Sequence, residues 1–141
     1  MDLSKRFPRS PRETLSGIAM LPRTIDKARA HWAGTLGEYI YDCPMDKQLF
    51  KTLGIDAAAL AAIVEQAADD RAVLERVRHI WRNPPPAEIE SHNDAIEHWS
   101  PKSDEGRKHF EETRTRVAPT RTDVTTWTDL IDIEEGRLAP A

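Results

Sequence analysis

The sequence predicts a mainly α protein: a single compact domain of about seven short helices, with one extended segment near residues 37–43. Three observations carry that expectation. Apolar residues recur at three- and four-residue spacing along most of the chain. Capping residues and prolines open these periodic stretches, and glycines or prolines close them. Strand-like alternation is confined to one stretch, with no clear partner strand nearby. The 141 residues suit one domain. With 39% hydrophobic and 31% charged residues, a well-solvated surface can enclose a packed core.

The elements follow in order. Residues 1–10, MDLSKRFPRS, read as a basic N-terminal arm. In SPRETLSG, Ser10 is an N-cap, Pro11 suits the first helical position, and Glu13 completes a capping box. That pattern predicts one or two helical turns closed by Gly17. A helix then runs from Pro22 or Thr24 to Ala33 and stops at Gly34. Its apolar face carries Leu21, Ile25, Ala28 and Trp32, and its charged face carries Arg23, Asp26 and Lys27. GEYIYDCP is the extended segment. MDKQLFKTLG places Leu49, Phe50 and Leu53 on one face and ends at Gly54.

Asp56 caps the next helix, whose stripe is Leu60, Ile63, Val64 and Ala67. Asp69 or Asp70 caps the one after it. Its Val73, Leu74, Val77, Ile80 and Trp81 form the cleanest 3.6-residue period in the chain, so Trp81 is expected to be mostly buried. Pro84, Pro85 and Pro86 open a helix to about Trp99, with Ile89, His92, Asn93, Ile96 and Trp99 on one side. A polar helix spans 103–117, with Phe110 and Val117 inward and Lys108, Glu112 and Arg116 outward. The last element is an acidic helix at 126–135, capped by Thr126, with Trp127, Leu130 and Ile131 as its apolar edge. The domain expectation is thus 1–141 as one helical unit.

Bulk properties narrow the function. No apolar run approaches the ~20 residues of a membrane span, and no apolar stretch follows the N-terminal charges, so neither a membrane nor secretion is expected. One cysteine, Cys43, cannot form an intrachain disulfide, which points to the cytoplasm. The net charge of −4 is uneven: residues 1–34 hold seven Lys or Arg against three Asp or Glu. A basic head and the acidic block Asp123, Asp129, Asp132, Glu134 and Glu135 can neutralise each other.

Several segments together resemble a bacterial family catalogued as domain of unknown function 5069. They are SPR at 10–12, LPR at 21–23, DKARA at 26–30, GEYIYDCPMD at 37–46, GID at 54–56 and RTDVTTWTDLID at 121–132. They span most of the chain in the expected order. The resemblance implies kinship and no activity. His92 stands where an aromatic such as Trp is expected in the family, which argues against a functional histidine there.

The best candidate site is a basic cluster. Arg12, Arg23, Lys27 and Arg29, beside Asp26 and rimmed by Tyr39 and Tyr41, offer guanidinium forks and a point charge for a carboxylate or phosphate. The opposing reading is an internal clamp, in which these charges pair within the chain. A nucleophilic Cys43 needs a base that the sequence does not place beside it. The five histidines show no metal-ligating helical spacing, so neither a metal nor a cofactor is expected. An acidic pI near 5.7 and the lack of a reading motif argue against nucleic acid. The expected role is a non-catalytic binding or interaction module for a small anionic ligand or a protein partner. The alternative is a small enzyme acting on a phosphorylated or carboxylated metabolite, with Asp26 as general base.

Overall fold

The computed structural model describes residues 1–138. It is mainly α: seven helices and one two-stranded pair among the described residues. They are β1 (Thr14–Leu15), β2 (Ile18–Ala19), α1 (Leu21–Ala33), α2 (Pro44–Leu53), α3 (Ala57–Gln66), α4 (Asp70–Ile80), α5 (Pro86–Glu97), α6 (Asp104–Val117) and α7 (Trp127–Glu134). Contacts gather into two compact units, Met1–Asp94 and Ala95–Ala141, with the division inside α5.

The helical turns expected after Ser10 are instead a tight hairpin. Ser10 does start a turn, since its Oγ accepts from Arg12 N–H at 3.1 Å and its carbonyl from Glu13 N–H at 3.1 Å. The chain then reverses at Ser16 and Gly17, with φ of 52° and 77°. Two consecutive positive φ values are what a two-residue turn of primed type requires, and Gly17 supplies the second without a steric cost. Thr14 pairs with Ala19 and Leu15 with Ile18.

In the first unit α1 packs against α3 and the hairpin, and α3 against α4. Ile18, Leu21, Ile25, Leu49, Leu53, Leu60, Val64, Val73 and Val77 form its buried cluster. Helix α1 starts at Leu21 from Met20, which sits at φ 74° with no side-chain cap, and Gly34 ends it. Thr24 is therefore inside the helix. Asp56 caps α3 through Ala59 N–H as expected, and of the two candidates for α4 it is Asp69 that caps it, through Ala72 N–H. Two apolar assignments change. Trp81 is half-buried at the C-terminal end of α4, beside Ile80 at 52% exposure, because the buried stripe of α4 narrows to Val73 and Val77. Trp32, one turn beyond Ala28, is 49% exposed, with its indole N–H donating to the Ala61 carbonyl.

GEYIYDCP forms an irregular loop of turns with no strand, and its backbone turns at Gly37 and Asp42, both with positive φ. The segment 1–10 is not a free arm. Leu3, Pro8 and Ser10 are buried, and Leu3 N–H donates to the Thr35 carbonyl at 2.8 Å. His92 is 1% exposed, with Nε2 2.8 Å from the Ala19 carbonyl and Nδ1 3.3 Å from Thr52 Oγ1. A carbonyl can only accept, so Nε2 carries the proton. Asn93 holds the hairpin beside it, accepting from Ala19 N–H and donating to the Gly17 carbonyl.

The second unit has its own buried cluster of Phe110, Ala118, Val124, Leu130 and Ile133. Ser103 caps α6 through Gly106 N–H, and Thr126 caps α7 through Asp129 N–H. Trp127 meets Phe110 edge-to-face at 5.0 Å. Ile131 is only partly buried, since α7 turns Leu130 and Ile133 inward. Acids here meet bases of the same unit: Asp123 with Arg121, Glu134 with Arg116, and Asp132 with Arg137.

Candidate functional site

The charged face of α1 is buried. Arg23, Asp26 and Lys27 are 5%, 3% and 3% exposed, so the first two turns of α1 are covered on all sides. Charges in such a place need partners, because desolvation penalises each unpaired ion. Two networks supply them.

The first centres on Asp46, which is fully buried at the third position of α2. Its carboxylate accepts from Lys27 Nζ at 2.7 Å, Thr24 Oγ1 at 2.7 Å, and the backbone N–H groups of Asp42 at 3.0 Å and Cys43 at 3.2 Å. Four donors fill the lone pairs of one carboxylate. Lys27 Nζ also lies 3.3 Å from Cys43 Sγ. This network ties α1 to the start of α2 and to the loop before it.

The second centres on Arg9. Its backbone N–H, Nε and Nη2 donate to Asp26 at 2.9–3.0 Å. Nη1 and Nη2 reach Asp70 at 2.5 and 3.1 Å. The hydrogen bond to Asp70, ahead of that to Asp26, holds the Arg9 guanidinium more firmly in its charged form. In return Arg9 holds the Asp70 carboxyl below the usual range. Arg23 Nη1 donates to the Arg9 carbonyl at 3.1 Å, and its guanidinium lies over the Tyr39 ring at 5.5 Å.

The expected cluster is therefore split. Arg23, Asp26 and Lys27 belong to the framework. Arg12 is half-buried on the turn after Ser10. Tyr41 does not rim a site: its hydroxyl donates to the Ala57 carbonyl at 2.6 Å, and its ring stacks on His31 and meets Phe50. Burial pushes its phenol above the ordinary value, with Asp46 the largest charge adding to the effect.

Of the expected arginines, Arg29 lines an open cleft. That cleft, about 680 Å³, is bounded by Arg6, Phe7, Arg9, Arg29, Asp70 and Arg71. Arg29 Nη1 donates to the Ala67 carbonyl at 3.1 Å, one of the five N–H donors of its guanidinium. Arg6 is exposed and forms no ion pair among the described residues. Among the described residues Arg71 has only the exposed Glu75 as an ion-pair partner, at 3.8 Å. Phe7 is 55% exposed at the rim. Arg6, Arg9, Asp46, Asp70 and Arg71 were not among the residues expected from sequence. Asp46 had a signal: an acid three residues after Cys43, in C-P-M-D, occupies the position whose carboxylate caps a helix start. Arg9 had none, because its two aspartates lie 17 and 61 residues away.

Among the described residues no group of three or more His, Cys, Asp or Glu side chains could hold a metal ion. No helix there is long and apolar enough to cross a membrane.

Fold and site together define a mainly α protein built on buried ion pairs, with an arginine-lined cleft beside them. The family model described as Domain of unknown function (DUF5069) matches residues 5–137, and the chain belongs to that family. No curated protein matches it.

Proposed function

We propose that the protein is a non-catalytic binding module that takes a small anion in the cleft of Arg6, Arg29 and Arg71. The observation that carries the reading is the charge state of that cleft. Arg9 pairs with both Asp26 and Asp70, Asp69 caps α4, and three further arginines line the same opening, so four guanidiniums there face three carboxylates. Guanidinium forks bind phosphate and carboxylate oxygens in pairs, and the start of α4 adds a favourable dipole. A general base needs a lone pair within reach of substrate, and Asp26 is enclosed by three donors of Arg9. That supports binding over catalysis. The single cysteine Cys43, free of any disulfide, supports a reducing cytoplasm as the location, and the family resemblance supports a bacterial one.

The test is calorimetric titration of the full chain with inorganic phosphate and pyrophosphate. Saturable binding is expected, weakened about tenfold in Arg29→Gln and again in Arg71→Gln, as for the loss of one charge-assisted contact each. Binding that both variants leave intact would place the anion elsewhere. No saturable binding of either probe would leave a protein partner as the better reading of this cleft.

A further inference from the structure

We propose a second, separate binding pocket within the unit from Ala95 onward, suited to a small carboxylate with a short apolar chain. It is a cavity of about 260 Å³ between one face of α6 and the segment that follows it. Arg107, Phe110, Glu111 and Arg114 line it from α6, and Thr122, Val124 and Thr125 from the segment opposite. The α6 residues fall at i, i+3, i+4 and i+7, so they share one helical stripe.

The stripe has an arginine at each end, with the Phe110 ring and the exposed Glu111, 3.4 Å from Arg114, between them. A helix surface normally separates such like charges or matches each with an acid. Arg107 makes no ion pair or side-chain hydrogen bond among the described residues. Arg114 has a side chain only 11% exposed, yet its contacts are all long. They run to the Ala118 carbonyl at 3.3 Å, the Pro119 carbonyl at 3.4 Å and Glu111 at 3.4 Å. A nearly buried guanidinium with weak partners is poised for a stronger acceptor. Across the cavity the hydroxyls of Thr122 and Thr125 make no hydrogen bond among the described residues. Phe110 and Val124, each 2% exposed, form the apolar floor.

Cations, unused hydroxyls and an apolar floor in a small cavity select the ligand class. One carboxylate head can lie between the two guanidiniums and accept from a threonine. The rest of the molecule must be short and apolar to cover Phe110 and Val124. Inorganic phosphate would satisfy the arginines but would desolvate against the apolar floor with nothing to gain there.

The experiment uses the full chain, isotope-labelled for NMR, titrated with butyrate and, in separate samples, inorganic phosphate and butanol. Saturable butyrate binding is expected, with shifts at Arg107, Arg114, Thr122 and Thr125. Arg107→Gln, at an exposed helix position, should weaken it about tenfold, and Thr125→Val should weaken it less. Neither should change phosphate binding at the Arg29 cleft, which keeps the two sites distinguishable. Phosphate binding here as tightly as butyrate would overturn the carboxylate assignment. Butanol matching butyrate would overturn the role of the arginines. Absence of saturable butyrate binding, or binding untouched by Arg107→Gln, would overturn the pocket.

Discussion

Replacing Lys27 by Met removes one half of a fully enclosed ion pair while nearly keeping its volume. Lys27 and Asp46 have side chains 4% and 0% exposed and lie 2.7 Å apart. Losing one partner of such a pair costs about 3–5 kcal/mol, because the other charge stays buried without compensation. Here three donors remain on Asp46, from Thr24, Asp42 and Cys43, so the lower end of that range, about 3 kcal/mol, is expected. That is a large share of the 5–15 kcal/mol typical of a domain, and it lowers Tm by roughly 10 °C. Urea unfolding of the wild type and Lys27→Met measures it directly. The double variant Lys27→Met/Asp46→Asn should recover about 1–2 kcal/mol, since a neutral amide no longer strands a charge. A loss under about 1 kcal/mol in Lys27→Met would refute the reasoning, because it would mean the pair is hydrated and Asp46 needs no cation.

Three further outcomes follow from the same geometry. Burial, opposed by the hydrogen bond to Ala19, lowers the pKa of His92 from its ordinary 6.5, so folding favours the neutral ring. Stability from this group is present above pH 6.5 and is lost as pH falls through the lower folded value, by up to about 1.4 kcal/mol per pH unit. Urea midpoints between pH 7.5 and 5 should show the decline, and His92→Gln should flatten that part of it. Trp81→Ala should cost about 2 kcal/mol by chemical denaturation, less than for an enclosed tryptophan, because Trp81 is only partly buried. Gly54→Ala should cost about 1–2 kcal/mol in the same assay: Gly54 has φ +72° and an added Cβ would lie 2.8 Å from Arg82 Cδ.

Local chemistry made the helices legible in the sequence. Asp56 and Thr126 cap the helices their spacing predicts, Asp69 proves the cap of the two candidates Asp69 and Asp70, and Gly34 and Gly54 end theirs. The hairpin was not legible, since Ser10 and Glu13 compete for a helix start while Ser16–Gly17 carries a turn, and the β1–β2 pairing decides the contest. Burial of the charged face of α1 was equally hidden. Arg23, Asp26 and Lys27 look like a solvated stripe until Arg9, Asp46 and Asp70 arrive from distant positions. Periodicity reports which face can be apolar. It does not report that a polar face has been covered by partners that satisfy it. The cleft shares this limit: Arg29 was within the expected cluster, but Arg6 and Arg71 join it only through the packing of the segment 1–10 beside the start of α4.

The most direct measurement is NMR of the arginine side chains during a phosphate titration. It tests whether α1 keeps its own charges paired while the neighbouring arginines bind. Nε–H resonances of Arg6, Arg29 and Arg71 should move together to saturation, while Arg9, locked between Asp26 and Asp70, should move little. Saturating shifts at Arg9 with none at Arg29 would mean that the ion pairs open to admit the anion, and the division between framework and site would be wrong.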